Sequence, residues 1–275
     1  MPKDIYEEIF SLRSTGMRAA LATIIARRGA TPRKNSAKML VCEDGRQIGT
    51  IGGGAIEAEV RQEALPVMET GNPKLLTFDL RGIDPEESAL VCGGSMDVYV
   101  EPILPNPTLF LFGAGHVSKA VAASAKLVGF KIAIIDDRDK YANPEWFPDA
   151  DVYYVDSFEA VLKQLNCNSS TYIFIATRSH DLDLICLRFA LKSSAKYIGM
   201  LGSYKKARIL FDLLEKEALD CSEFERVSVP AGFDIGSETP EEIAASIVAE
   251  LIAARKNRDI RLLKDVLHRA NNPIS

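Results

Sequence analysis

Apolar residues follow two rhythms along the chain. Over roughly the first hundred residues they come in short runs separated by turn signals. Ile5, Ile9 and Leu12 share one helical face that Gly16 ends, Met17 to Arg27 reads as a strand, and Leu40, Val41 and Cys42 form a short strand broken at Asp44-Gly45. Ile56, Val60, Ala64 and Val67 mark a helix whose end Pro66 is expected to kink or shorten. Leu75 to Leu80 and Met96 to Val100 read as strands. From Thr108 onward, continuous apolar runs alternate with helical spacing. Leu109–Phe112, Ile132–Ile135, Asp151–Val155, Tyr172–Ala176 and Tyr197–Leu201 read as five strands, with helices over Phe158–Leu165 and Leu182–Leu191. Thr239, Pro240 and Glu242 spell a capping box before a last helix that buries Ile243, Ile247 and Leu251.

Strands alternating with helices imply crossovers and a parallel sheet, so the second part is expected to be a Rossmann-like, doubly wound domain. The fold class is α/β: an N-terminal α/β domain over residues 1–105 and the Rossmann-like domain over 106–275. Pro102, Pro105 and Pro107 form a stiff linker between them.

Charge narrows the partners. With 33 basic and 38 acidic residues and a formal charge of −5, the chain carries no electrostatic footprint for nucleic acid. The start, MPKDIYEEIF, has no basic-then-apolar leader, and the apolar run Ala19–Ala26 is too short to span a bilayer, so a cytoplasmic protein without membrane contact is expected. The five cysteines are an odd number without a C-x-x-C pair, which argues against a disulfide framework or a structural zinc.

The candidate chemistry gathers at glycine-rich corners. Gly113-Ala114-Gly115 joins the first strand of the second domain to a helix, as G-x-G-x-x-S with Ser118 in the third place, and leaves free helix N–H groups suited to a phosphate. Asp136 ends the next strand, where a carboxylate can accept ribose hydroxyls and disfavours a 2′-phosphate. His116 lies within the turn. At the carboxyl end of the fourth strand, Thr177, Arg178 and His180 are expected to face that turn across the switch-point crevice. Gly202 and Ser203 follow the fifth strand, Ser203 as a helix cap, with Lys205 and Lys206 either meeting a phosphate or lying in water. In the first domain, Gly52, Gly53 and Gly54 run into the helix that carries Glu57, a second corner able to hold an anion. The basic loop residues Arg33, Lys34 and Lys38 read as solvated surface or an anion grip. Cys42, Cys167 and Cys186 read as packing residues, whereas Cys92, flanked by Gly93 and Gly94, is the thiol able to approach a ligand or metal. His268 reads as solvated.

Taken together, GTIGGGAIE, VCGG with VEP, LFGAGHV with IIDDR, TRSHDLD, YIGMLGSYKK and PAGFDIGSETPEEIAASIVAE resemble the XdhC/CoxI accessory proteins of molybdenum hydroxylases such as xanthine dehydrogenase, over nearly the whole chain. The resemblance implies a homodimeric, two-domain chaperone. It would bind molybdenum cofactor (molybdopterin), shelter it while its terminal sulfur is installed, and deliver it to the apo-enzyme, with a cysteine desulfurase as second partner. Two departures stand out. Many members carry a cysteine after the glycines where this chain has Ala55, which leaves Cys92 as the thiol. Many carry T-H-x-H where this chain reads Thr177-Arg178-Ser179-His180, which replaces an imidazole by a permanent cation.

The expected activity is holding rather than turnover, with an anionic pterin ligand gripped by the Gly113 turn, the Gly52–Gly54 corner and the Thr177–Asp181 loop. An NAD-dependent oxidoreductase is the alternative, since Gly113 and Asp136 suit NAD equally; that chemistry would need a placed acid or base, and His180 alone offers itself.

Overall fold

A computed structural model describes residues 4–29, 36–79, 94–217 and 219–264. The chain divides into two compact units, Met1–Asn106 and Pro107–Ser275, each with its own core.

The first unit is a five-stranded antiparallel sheet in the order β3-β2-β1-β5-β4, built from β1 (Ala19–Gly29), β2 (Lys38–Cys42), β3 (Gln47–Gly49), β4 (Lys74–Asp79) and β5 (Gly94–Ile103). Period-two alternation splits β1 between two faces. Ala20, Ala22 and Ile24 pack with Ile56, Val60, Ala64 and Val67 of helix α2 (Gly54–Thr70), while Ala19 and Leu21 pack with Leu12 of helix α1 (Ile5–Thr15). Gly16, in the left-handed region at φ 83°, ends α1 as its position in the sequence implies. Pro66 does not shorten α2. It sits on the exposed face, and the helix runs on to Thr70 and a left-handed Gly71.

The second unit is a six-stranded, fully parallel sheet in the order β11-β10-β9-β6-β7-β8. Its strands are β6 (Thr108–Phe112), β7 (Lys131–Ile135), β8 (Val152–Tyr154), β9 (Thr171–Ile175), β10 (Tyr197–Met200) and β11 (Val227–Ser228). The two-residue β11, which follows a 3-10 helix over Cys221–Arg226, escapes sequence reading because no alternation can show in two residues. Both sheet faces are covered. Leu109, Leu111, Ile132 and Ile134 point toward α3 (His116–Leu127) and α7 (Pro240–Lys256); Phe110, Phe112, Ile173 and Ile175 point toward α4 (Phe158–Leu162), α5 (His180–Leu191) and α6 (Tyr204–Lys216). The continuous apolar runs of the sequence are thus strands buried on both sides. The capping box of α7 is complete: Thr239 Oγ1 accepts from Glu242 N, and Glu242 Oε2 accepts from Thr239 N at 3.0 Å.

β6 lies between β7 and β9, and connections leave it in opposite directions, so the reversal of strand order falls at the carboxyl ends of β6 and β9. In an open parallel sheet that is where a crevice for a ligand forms. Among the described residues no helix is long and apolar enough to cross a membrane.

Candidate functional site

The turn after β6 takes its shape from a packing constraint. Gly113 has φ 101°, and a Cβ there would lie 2.2 Å from Ala176 O and 2.9 Å from Thr177 Cα, so only glycine lets the β6 and β9 loops approach this closely. A Cβ on Gly115 would meet nothing within 4 Å, and Gly115 caps α3 with no side chain bonded to the helix start. The start of α3 thus has no side-chain cap and has free room at Gly115, the arrangement that suits a phosphate oxygen. Ser118 packs with no exposure in the third position of the fingerprint, and its Oγ has no hydrogen-bond partner.

Asp136 sits beneath the turn rather than in front of it. Its carboxylate is 1% exposed; Oδ2 accepts from Ala114 N at 2.8 Å and from Arg138 Nη2 at 2.8 Å, and Oδ1 accepts from Arg138 Nε at 2.8 Å and Arg138 N at 3.1 Å. Four donors fill a carboxylate's main acceptor directions, so ribose hydroxyls reach Asp136 only if Arg138 moves away. The guanidinium of Arg138 lies 4.4 Å from the Tyr141 ring centre. From the same β7–β8 connection, Trp146 Nε1 donates to Ala114 O at 3.2 Å, Lys119 Nζ stands 3.8 Å over the Trp146 ring, and exposed His116 meets that ring edge-on at 5.6 Å.

The next carboxylate, Asp137, is exposed and paired with Arg178 from the β9–α5 loop, Nη2 to Oδ2 at 2.7 Å and Nη1 to Oδ1. The guanidinium holds the Asp137 carboxyl below its ordinary range. Thr177 is fixed from behind: its N and Oγ1 both donate to Asp183 Oδ1, at 3.1 and 2.7 Å, and the buried Asp183 is met on its other oxygen by Lys206 Nζ at 2.5 Å. Lys206 therefore neither lies in water nor stands free for a phosphate. Gly202, at φ 150°, leaves room for the Lys206 stem, since a Cβ would lie 2.9 Å from its Cδ; Ser203 caps α6 by accepting from Lys206 N. His180 is exposed at the first position of α5, which Ser179 caps.

This crevice belongs to a recognisable family. The family model described as the XdhC Rossmann domain matches residues 109–251, and the one described as the XdhC and CoxI family matches residues 12–79. The chain is a member of the XdhC/CoxI family. The Escherichia coli (strain K12) protein YqeB is 34% identical over 255 residues, covering 92% of this chain and 47% of YqeB, so the chain spans about half the length of that relative. A Bacillus subtilis (strain 168) protein described as a probable subunit of xanthine dehydrogenase is 25% identical, covering 86% of this chain and 93% of that protein. The molybdenum cofactor insertion chaperone PaoD of E. coli K12 is 24% identical, covering 89% of this chain and 86% of PaoD. A crystal structure described as a xanthine dehydrogenase from Bacillus halodurans shares the fold, with a TM-score of 0.52 at 24% identity over 92% of this chain and 96% of that one.

In this XdhC chain the glycine corner of the first unit has a local occupant. Gly52, Gly53 and Gly54 all have positive φ, and the N–H of Gly53 is taken by the carboxylate of Glu57, 8% exposed, while Gly52 N donates to Thr50 Oγ1. Glu57 Oε1 accepts from Thr50 Oγ1 (2.5 Å), Ile51 N and Gly53 N (3.0 Å each), and Oε2 accepts from Gln47 Nε2 at 2.8 Å. Burial pushes its carboxyl up, but these donors outweigh that and bring it down to about 2. The donors of Ile51 and Gly53 are therefore spent on the chain's own anion; α2 begins after Gly53 with no side-chain cap.

Cys92, His268, Arg33 and Lys34 lie outside the described residues. Lys38 Nζ donates to Thr23 Oγ1 at 3.1 Å. Burial raises the thiols of Cys42 and Cys186, and brings Cys167 to about 11, which fits packing rather than reactivity. Among the described residues no group of three or more His, Cys, Asp or Glu is placed to hold a metal ion. Sequence reading missed Asp137, Arg138, Asp183 and Trp146. The first two stand in the IIDDR motif, where the doubled acid was the available signal; nothing local marks Asp183 or Trp146, whose roles come from tertiary contact.

Proposed function

We propose that this chain is an accessory protein that binds molybdenum cofactor as cargo and assists its sulfuration and insertion into a molybdenum hydroxylase of the xanthine dehydrogenase type. The observation that carries the proposal is similarity across most of both chains to PaoD, named as a molybdenum cofactor insertion chaperone. The crevice of the second unit is the part we assign to the cargo's phosphate: backbone donors at the start of α3, a glycine that keeps the space before them open, and Arg178 at the rim. Cys92 is assigned to the metal or its sulfur, and a cysteine desulfurase to the supply of that sulfur. Holding suits this inventory better than turnover, since the imidazoles of the crevice, His116 and His180, are both exposed and among the described residues neither is paired with an acid.

The test is reconstitution. Purified protein, loaded with molybdenum cofactor and stripped of unbound ligand, is assayed for retained molybdenum and pterin, then for activation of cofactor-free dehydrogenase, alongside a screen for NADH formation on small alcohols and acids. Retention and activation, with loss of retention in Cys92→Ser at an unchanged thermal midpoint, are expected. NADH formation that depends on His180, without retention or activation, would make the NAD-dependent oxidoreductase reading the right one.

A further inference from the structure

The Asp137–Arg178 pair crosses the crevice. Asp137 lies two residues beyond the end of β7 and Arg178 three beyond the end of β9, and β6 with its glycine turn runs between those strands. Neighbouring strands are about 4.8 Å apart, so the pair bridges about 10 Å over the mouth of the turn. A long guanidinium side chain can span that gap. Both partners are reachable from solvent, with side chains 43% and 28% exposed, so the bridge is not locked in by burial. Among the described residues the buried carboxylates of this corner are hydrogen-bonded or paired elsewhere: Asp136 with Arg138 and Ala114, Asp183 with Lys206 and Thr177.

We propose that the Asp137–Arg178 bridge is a strap that a phosphate-bearing nucleotide opens: the phosphate draws Arg178 off Asp137, and the freed Asp137 carboxylate accepts the ribose hydroxyls. The inference rests on the crevice being the phosphate site proposed above, and it assigns the ribose contact to Asp137 in place of the fully bonded Asp136. Arg178 forms equivalent paired bonds with carboxylate or phosphate, and a phosphate at the α3 start brings the additional backbone donors that Asp137 lacks. A ligand carrying both groups uses both halves of the opened strap, whereas a nucleoside alone has to displace Arg178 without offering it an anion.

The test is calorimetric titration of inorganic pyrophosphate, ADP and 2′-deoxy-ADP into the unaltered protein, Asp137→Asn and Arg178→Gln, both conservative changes at exposed positions. Removing the competing carboxylate in Asp137→Asn is expected to tighten pyrophosphate about threefold, the scale of an exposed ion pair, and to erase the preference for ADP over 2′-deoxy-ADP. Arg178→Gln is expected to weaken pyrophosphate and ADP about tenfold. Pyrophosphate binding that is unchanged or weaker in Asp137→Asn, or an ADP preference that survives it, overturns the strap while leaving the phosphate site standing. Failure of the unaltered protein to bind pyrophosphate or ADP overturns both.

Discussion

Glu57 shows how far a single carboxylate can set a corner's shape. Four donors converge on it, two from the backbone of the glycine corner, and its loss would leave buried N–H groups unpaired. Glu57→Ala is expected to destabilise the first unit by about 3 kcal/mol, read from urea unfolding followed by circular dichroism. The pH dependence has a definite sign. A carboxyl at about 2 when folded and near 4.5 when unfolded contributes stability that is complete above pH 4.5 and is lost as pH falls toward 2, so the acid unfolding of Glu57→Gln should lose that slope. Ser118 points the other way. Its buried, unpartnered hydroxyl costs stability, and Ser118→Ala should raise stability by about 1 kcal/mol, visible as a higher thermal midpoint. The sequence carried the small size of Ser118 and the place of Glu57 in a first helical turn; it could not carry which donors each would meet.

Between elements, the Thr177–Asp183–Lys206 chain ties the β9–α5 loop to the start of α6. Asp183 has no exposure, so removing its cation strands a buried charge. Lys206→Met is expected to cost about 3 kcal/mol by chemical denaturation, with Lys206→Met combined with Asp183→Asn recovering much of it. A double variant as unstable as Lys206→Met would show that packing of the lysine stem, and not the charge, matters. The helices and strands were legible where period and cap agreed, as in Thr239, Pro240 and Glu242 before α7. The helix end was not shortened at Pro66, where shortening was one of the two expected outcomes, and an element was missed where it was too short to display a period, as at β11.

Across the whole chain, the alternation of strand and helix was sufficient to foresee the parallel sheet of the second unit, although the long crossover from β8 back to β9 is not written in any local pattern. The antiparallel order of the first unit was not legible: β1 pairs with β5 through a register that joins Ala19 to Ile103, and no local pattern encodes such a distant partner. The compact units part at Asn106 and Pro107. One indole gives this molecule its own optical instrument. Trp146 is the only tryptophan in the chain, and it touches the glycine turn through Ala114, with His116 and Lys119 against its ring. Its emission therefore reports on the second unit without a label, and pyrophosphate entering the crevice should change its intensity in a saturable way. The same signal separates the units during unfolding: Glu57→Ala should shift the dichroism transition and leave the indole's own transition in place. Coincident shifts would show that the two units melt as one.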